Sequence, residues 1–249
     1  MRARTDALRE LLAVFAAVTV ATVVVSWIGR VSPLGDYVHV VVGALFLWSA
    51  LRLAQREPDG LARCGLQLGG LLEPNDPPPS GLLASVEDLL LALARAAPSA
   101  LRELGVALAV AAVVFPPFVI GFRFWHAPEH AFALHFPDEL VSYALTQLLV
   151  VAVPEEAFFR GYLQTRATDA FPGERRVLGA MLSPRAWLLQ AGLFALIHFA
   201  VDLNPARLAV FFPALLFGWL RALRGGIGAA AALHALCNLL SDVLVRSWL

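Results

Sequence analysis

An apolar run of membrane length closes on Val153-Pro154-Glu155-Glu156-Ala157-Phe158-Phe159-Arg160-Gly161-Tyr162, which sets two carboxylates and an arginine where hydrocarbon alone would not tolerate them. On insertion scales an ionisable side chain at the centre of a span costs about 2.5–3.5 kcal/mol, so such groups face protein or trapped water and mark function. On a helix, Glu156 and Arg160 are i and i+4 neighbours, while Glu155 lies roughly 100° round the barrel. Glu156 therefore has a built-in cation, and Glu155 is the carboxylate free to work. Two later apolar runs carry further polar groups: His198 in one, and His234 with Asn238, sharing one helix face, in the other. A carboxylate and a histidine around a water make a general base for hydrolysis, and a second histidine with an asparagine can donate hydrogen bonds to a developing oxyanion. Hydrolysis of a peptide bond needs those parts and little else.

The chain that must position them has 249 residues, of which 59% are hydrophobic and 15% charged, with a mean hydropathy of +0.71. Soluble domains carry about 25% charged residues, so the expected fold is an all-α polytopic membrane bundle in a single domain, residues 1–249. Seven spans are read, with eight as the alternative. The first runs from Leu11 to Ile28, too long for the h-region of a secretory signal, and the second from Leu34 to Leu51, including His39. A polar, Pro-rich loop follows from Arg52 to Ser80, broken by Pro77-Pro78-Pro79. Leu82 to Ala97, with Glu87, Asp88 and Arg95, reads as a helix lying in the interface, separated by Pro98 from a third span, Ser99 to Phe122, that Pro116-Pro117 should kink or end. His126, Glu129, His130, His135, Asp138 and Glu139 follow in one connection, at spacings that match no zinc pattern. The remaining spans are Glu139 through the Glu-Glu-Arg group to about Ala167, Arg185 to Val201, Ala206 to Leu223, and Ile227 to Arg246.

Charge gives an orientation. All the basic residues are arginines, and with the N-terminus inside, only Arg30, Arg123, Arg207 and Arg246 fall on the far side, as the positive-inside rule asks. The six tryptophans lie near expected span ends. A net charge of zero gives no electrostatic basis for binding nucleic acid, and Cys64 and Cys237 fit neither a disulfide framework nor a zinc ribbon. One tension stands in this layout: Glu155 falls near the inner end of its span and His198 near the outer end of the next, a mismatch of roughly 20 Å at 1.5 Å per residue. The span boundaries must therefore shift, and an extension of the fourth helix through Gln164 and Arg166 around a water-filled funnel is the expected way.

Pro154-Glu155-Glu156-Ala157-Phe158-Phe159-Arg160, Phe194-Ala195-Leu196-Ile197-His198 and His234-Ala235-Leu236-Cys237-Asn238 resemble the EExxxR, FxxxH and HxxxN motifs of the CPBP intramembrane endopeptidases, also called the Abi or CAAX-protease family. Arg63-Cys64-Gly65-Leu66 is similar to a short upstream motif of that family. The resemblance implies a catalytic core at about 139–246. In it, Glu155 with His198 activates the attacking water, His234 and Asn238 form the oxyanion site, and Glu156 and Arg160 orient the site, with Phe194 as packing. It further implies a glutamic-type endopeptidase that needs no metal, a zinc-dependent version being the alternative. Its substrate would be a membrane-anchored or C-terminally tagged protein, in the manner of prenylated tails or sorting tags, cleaved near its C-terminus or anchor within the bilayer. A bacterial inner membrane, with the N-terminus cytoplasmic, is the expected location. Taken singly, His198 reads equally well as a packed histidine, and a non-catalytic immunity or scaffold protein of the same fold is the rival reading. The conjunction on three spans favours the enzyme.

Overall fold

A computed structural model describes residues 2–33, 35–70 and 82–249. Among them seven helices are long and apolar enough to cross a membrane. They are α1 (Arg2–Val31), α2 (Val38–Ala54), α3 (Leu82–His126), α4 (Leu140–Ala170), α5 (Pro184–Asp202), α6 (Phe211–Arg224, preceded by a 3₁₀ stretch Pro205–Val210) and α7 (Gly228–Trp248). Leu34 and the Pro77-Pro78-Pro79 run lie outside the described residues.

Helix α4 is the axis of the bundle. Ala157–Leu163 are seven consecutive buried residues, and a helix apolar all round belongs at the centre rather than at the lipid face. Phe158 and Phe159 meet Phe46 of α2, with ring centroids 5.3 and 5.6 Å away, and Phe159 sets its edge against Phe194 of α5 at 4.9 Å. The helix is not uniform. Gln147–Ala152 and Ala157–Leu163 are wound as π-helix, visible in the i to i−5 bonds from Val153 N–H to the Leu148 carbonyl and from Gln164 N–H to that of Phe159. π turns recur at functional sites, and these two bracket Glu155 and Glu156. Pro154, without an N–H, sits between them.

The extension of α4 to Ala170 removes the depth mismatch read from the sequence. Ser183, which caps α5, donates its hydroxyl to the Phe171 carbonyl just past α4, so α4 and α5 share an end. Glu155 lies 15 residues before Ala170, and His198 14 residues after Pro184. Both are thus about 21 Å from that shared end. Helix α7 starts higher, and the Arg63-Cys64-Gly65-Leu66 turn sets where. Ile227 N–H donates to the Gly65 carbonyl (3.2 Å), Arg221 Nη2 donates to the Arg63 carbonyl (2.7 Å), and a Cβ on Gly161 would meet Leu66 at 2.8 Å. Gly65 holds φ +65°, with the Gly225 carbonyl 2.7 Å from where a Cβ would stand, so only glycine closes this turn. Counting from this level, Glu155 and His234 each lie about 10 Å along their helices. The N-terminal end is tied by charge: Arg166 pairs with Glu10 of α1, with Glu57 (2.8 Å) and with Asp169, and Arg63 pairs with Asp169 (2.9 Å).

One expectation is corrected. The interfacial helix and third span are one helix, α3, of 45 residues, running through Pro98, Pro116 and Pro117. Each proline removes one backbone bond, and neighbouring turns hold the helix across it, as membrane helices allow. The connection after α4 contains a two-stranded hairpin, β1 (Arg175–Val177) with β2 (Ala180–Leu182), so the fold is all-α except for this ribbon. Trp219, five residues before the end of α6, donates its indole N–H to the carbonyls of Val177 (3.2 Å) and Leu178 (3.3 Å) of this ribbon.

Helix α2 reaches α4 through Gly43, where a Cβ would come within 2.3 Å of the Val150 carbonyl oxygen, in the turn before Pro154. Gly43→Ala is therefore expected to push α2 off the π turn and to cost about 1–3 kcal/mol, the usual range for overpacking. Thermal unfolding of the detergent-solubilised protein measures this, and an unchanged midpoint would refute the close approach.

Candidate active site

Glu156 and Arg160 are both fully buried. Arg160 Nη1 donates to Glu156 Oε1 at 2.8 Å, and Nη2 reaches the Ala214 carbonyl of α6 at 3.4 Å. The guanidinium lies over the rings of Phe194 (4.2 Å to the centroid), Phe217 (5.1 Å) and Phe159 (5.9 Å). Its charge is thus met by one carboxylate and by the negative faces of three aromatic rings. Phe194, read from the sequence as packing, is one wall of this cage and also stacks beside His198 at 4.4 Å.

The same Oε1 of Glu156 faces His234 Nδ1 of α7 at 2.9 Å, and on the other side of that ring Nε2 is 3.9 Å from Glu155 Oε2. One imidazole is therefore bracketed by the two adjacent carboxylates of α4. Phe217 stacks on it at 4.9 Å and 18°. Glu155 retains 15% exposure, and its Oε2 makes no hydrogen bond among the described residues. A buried carboxylate oxygen without a partner calls for an explanation.

His198 approaches from α5. Its Nδ1 is 2.8 Å from the Phe194 carbonyl; a carbonyl only accepts, so Nδ1 carries the proton and Nε2 is the nitrogen left with a lone pair. Asn238 lies one turn beyond His234, about 6 Å along α7, where its Nδ2 donates to Gln147 Oε1 of α4 at 2.9 Å. Sequence reasoning gave Gln147 no role. The signal for it was an amide inside an apolar span, which must find a partner in another helix. Gln164 and Gln190 carried the same signal: they donate to the Gly218 carbonyl (2.9 Å) and the Ala214 carbonyl (3.3 Å) and hold α6 against α4 and α5. The structure thus brings Glu155, Glu156, Arg160, His198 and His234 together and sets Asn238 at the next turn with Gln147. Among the described residues no three His, Cys, Asp or Glu are grouped to hold a metal ion, and Cys64 is a buried loop thiol whose pKa burial raises.

Residues 137–240, which hold every one of these groups, match the family described as Type II CAAX prenyl endopeptidase Rce1-like. Over this stretch the chain is similar to the CAAX-protease family. No curated protein and no solved structure matches the chain. The family match stops short of α1, α2 and α3, yet α2 supplies Phe46 and Gly43 to the helix that carries Glu155 and Glu156.

Removing one partner of a buried pair leaves an uncompensated charge and costs about 3–5 kcal/mol. Arg160→Met is expected to destabilise the protein by that order, with Glu156→Gln in the same chain recovering a large part. A double-mutant cycle on thermal unfolding checks it, and strictly additive losses would contradict the coupling. Gln147→Leu is expected to lower activity as Asn238→Ala does, with no further loss in the double variant, whereas Gln147→Glu, still an acceptor for Asn238, keeps more.

Proposed function

We propose that the protein is an intramembrane endopeptidase that cuts a peptide bond near the C-terminus or membrane anchor of a substrate protein, using water activated by Glu155 and His198. The observation that carries this reading is the inequality of the two glutamates. Glu156 is engaged by Arg160 and His234, whereas Glu155, one residue away, has an oxygen without a hydrogen-bond partner among the described residues and stands 3.9 Å from His234 Nε2. A carboxylate oxygen that accepts no hydrogen bond from the protein is poised as a base toward a water.

In the proposed reaction, a water donates one O–H to Glu155 and the other to His198 Nε2. As the water oxygen bonds to the substrate carbonyl carbon, its proton passes to Glu155. The carbonyl oxygen takes the negative charge and is met by His234 Nε2–H and by the second N–H of Asn238 Nδ2, the first being engaged by Gln147. Glu155 then returns the proton to the nitrogen as the C–N bond breaks. For His234 to donate at both nitrogens it must be the imidazolium. Two carboxylates and one guanidinium leave a charge of −1 in the cluster, which that imidazolium cancels. No step uses a metal; the ion-pair chemistry around Glu156 supports this, since its charge is balanced by two cationic side chains of the protein.

Purified protein should cleave its substrate in the presence of a strong chelator, while Glu155→Gln and His198→Ala each lower the rate at least about a hundredfold at unchanged expression and unfolding temperature. Comparing the C-termini of membrane proteins in cells with wild-type or Glu155→Gln protein finds that substrate. A Glu155→Gln variant that leaves every C-terminus unchanged would end the enzymatic reading, and full loss with chelator, restored by zinc, would replace the metal-free one.

A further inference from the structure

The site is closed on one side and open on the other. Below Glu155, toward the end of α4 at Ala170, Phe158, Phe159, Arg160, Tyr162, Leu163, Gln164 and Gln190 are all buried. Above it, Gln147, His198 and Asn238, with residues 199–201 of α5 and 239–242 of α7, are partly exposed. Contacts with α1 tell which side is which. Glu10, near the start of α1, pairs with Arg166 below the plug, while Arg30, near its end, donates to the Val201 carbonyl (2.8 Å) and to Asp202 (3.1 Å) at the top of α5. The mouth is therefore on the face of the bundle opposite the N-terminus.

One cluster of charge stands at that mouth. Asp202 lies one turn past His198 on α5 and is shared by Arg30 (3.1 Å) and, through Nε at 2.8 Å, by Arg207 of the 3₁₀ stretch. Two guanidiniums on one carboxylate leave a net positive charge. Arg207 engages Asp202 through Nε, and its side chain is half-exposed.

Resting on the protease reading above, we propose that the substrate peptide is loaded from the face opposite the N-terminus and that Arg207 is the specificity-determining residue that receives its terminal carboxylate. The lengths agree: Asp202 is about 6 Å along the helix from His198, an arginine side chain adds a similar reach, and two or three extended residues beyond the scissile bond span about 7–10 Å. A planar, half-exposed guanidinium suits a carboxylate bidentately. The arginine distribution, with Arg30, Arg123, Arg207 and Arg246 as the exceptions on the far side, makes that face the non-cytoplasmic one. The protein would then trim short C-terminal peptides that reach the membrane from outside the cytoplasm.

Two measurements on the full-length protein test this. The first is labelling by a membrane-impermeant maleimide in intact spheroplasts and in inverted vesicles, with the wild-type protein as the blank. Asn204→Cys should react in spheroplasts and Arg56→Cys only in inverted vesicles; the reverse pattern overturns the sidedness. The second compares protein C-termini in cells carrying wild-type, Glu155→Gln, Arg207→Ala, Arg207→Glu or Arg207→Lys protein at matched levels. C-termini that need Glu155 should lie within a few residues of the encoded end, fall at least tenfold with Arg207→Glu, lose their fixed length with Arg207→Ala, and persist with Arg207→Lys. Wild-type products from Arg207→Glu, or Glu155-dependent cuts tens of residues from the encoded end, overturn the carboxylate role. If Glu155→Gln itself changes nothing, the protease reading falls and this inference falls with it, whereas an effect of Glu155→Gln without one of Arg207→Glu overturns this inference alone.

Discussion

A single carboxylate oxygen, Oε1 of Glu156, holds the site together. It accepts from Arg160 within its own helix and from His234 across the bundle, so one atom fixes the rotamer of the cation, the orientation of the imidazole and the spacing of α4 from α7. In water such an arrangement would be worth little. Here the pair is sealed from solvent, where an unmatched charge is strongly penalised, and each member is there because the others are. The ring faces of Phe159, Phe194 and Phe217 complete the enclosure. Glu155 is left with Oε2 free of hydrogen bonds among the described residues, 3.9 Å from the far side of the same imidazole.

Bringing side chains from α4, α5 and α7 to one depth is a matter of where each helix begins. The shared end of α4 and α5 at Phe171 and Ser183 fixes one offset. The Gly65 turn, which lifts the start of α7 by the carbonyl it offers Ile227, fixes the other. Neither contact is near the reacting groups. Both decide whether Glu155 faces His198 and His234 or misses them by a helical turn, and a glycine at 65 is needed because Gly225 and Arg221 occupy the space a side chain would claim.

Much of this was legible from residue types. Spans show themselves because about 20 apolar residues are needed to cross hydrocarbon, and Glu155, Glu156, Arg160, His198, His234 and Asn238 stood out because polar groups inside such runs are expensive. The sequence even demanded the longer α4, through the depth mismatch. What it did not show has physical causes. Pro98 in α3 looks like a boundary because in water it would be one; inside a membrane protein the helix is the least costly way to satisfy the backbone, and it continues. The π turns leave no mark on composition, since they arise where Pro154 and the approach of Gly43 perturb the bonding of one stretch. Gln147 is an ordinary amide until the register of α4 on α7 is known, and only then does it become the partner of Asn238.

Helix α3 has 45 residues, which at 1.5 Å each make a rod of about 67 Å, against hydrocarbon about 30 Å thick. It must lean steeply or emerge well beyond the headgroups. Its packing is chiefly on α7 and on the turn at Leu68–Gly70, with Glu103 pinned to Arg224 beneath the start of α7. Membrane thickness therefore acts on this protein through a long lever whose short arm rests on the helix that carries His234 and Asn238. Acyl-chain length in the surrounding lipid is thereby coupled to the alignment of the proposed oxyanion donors.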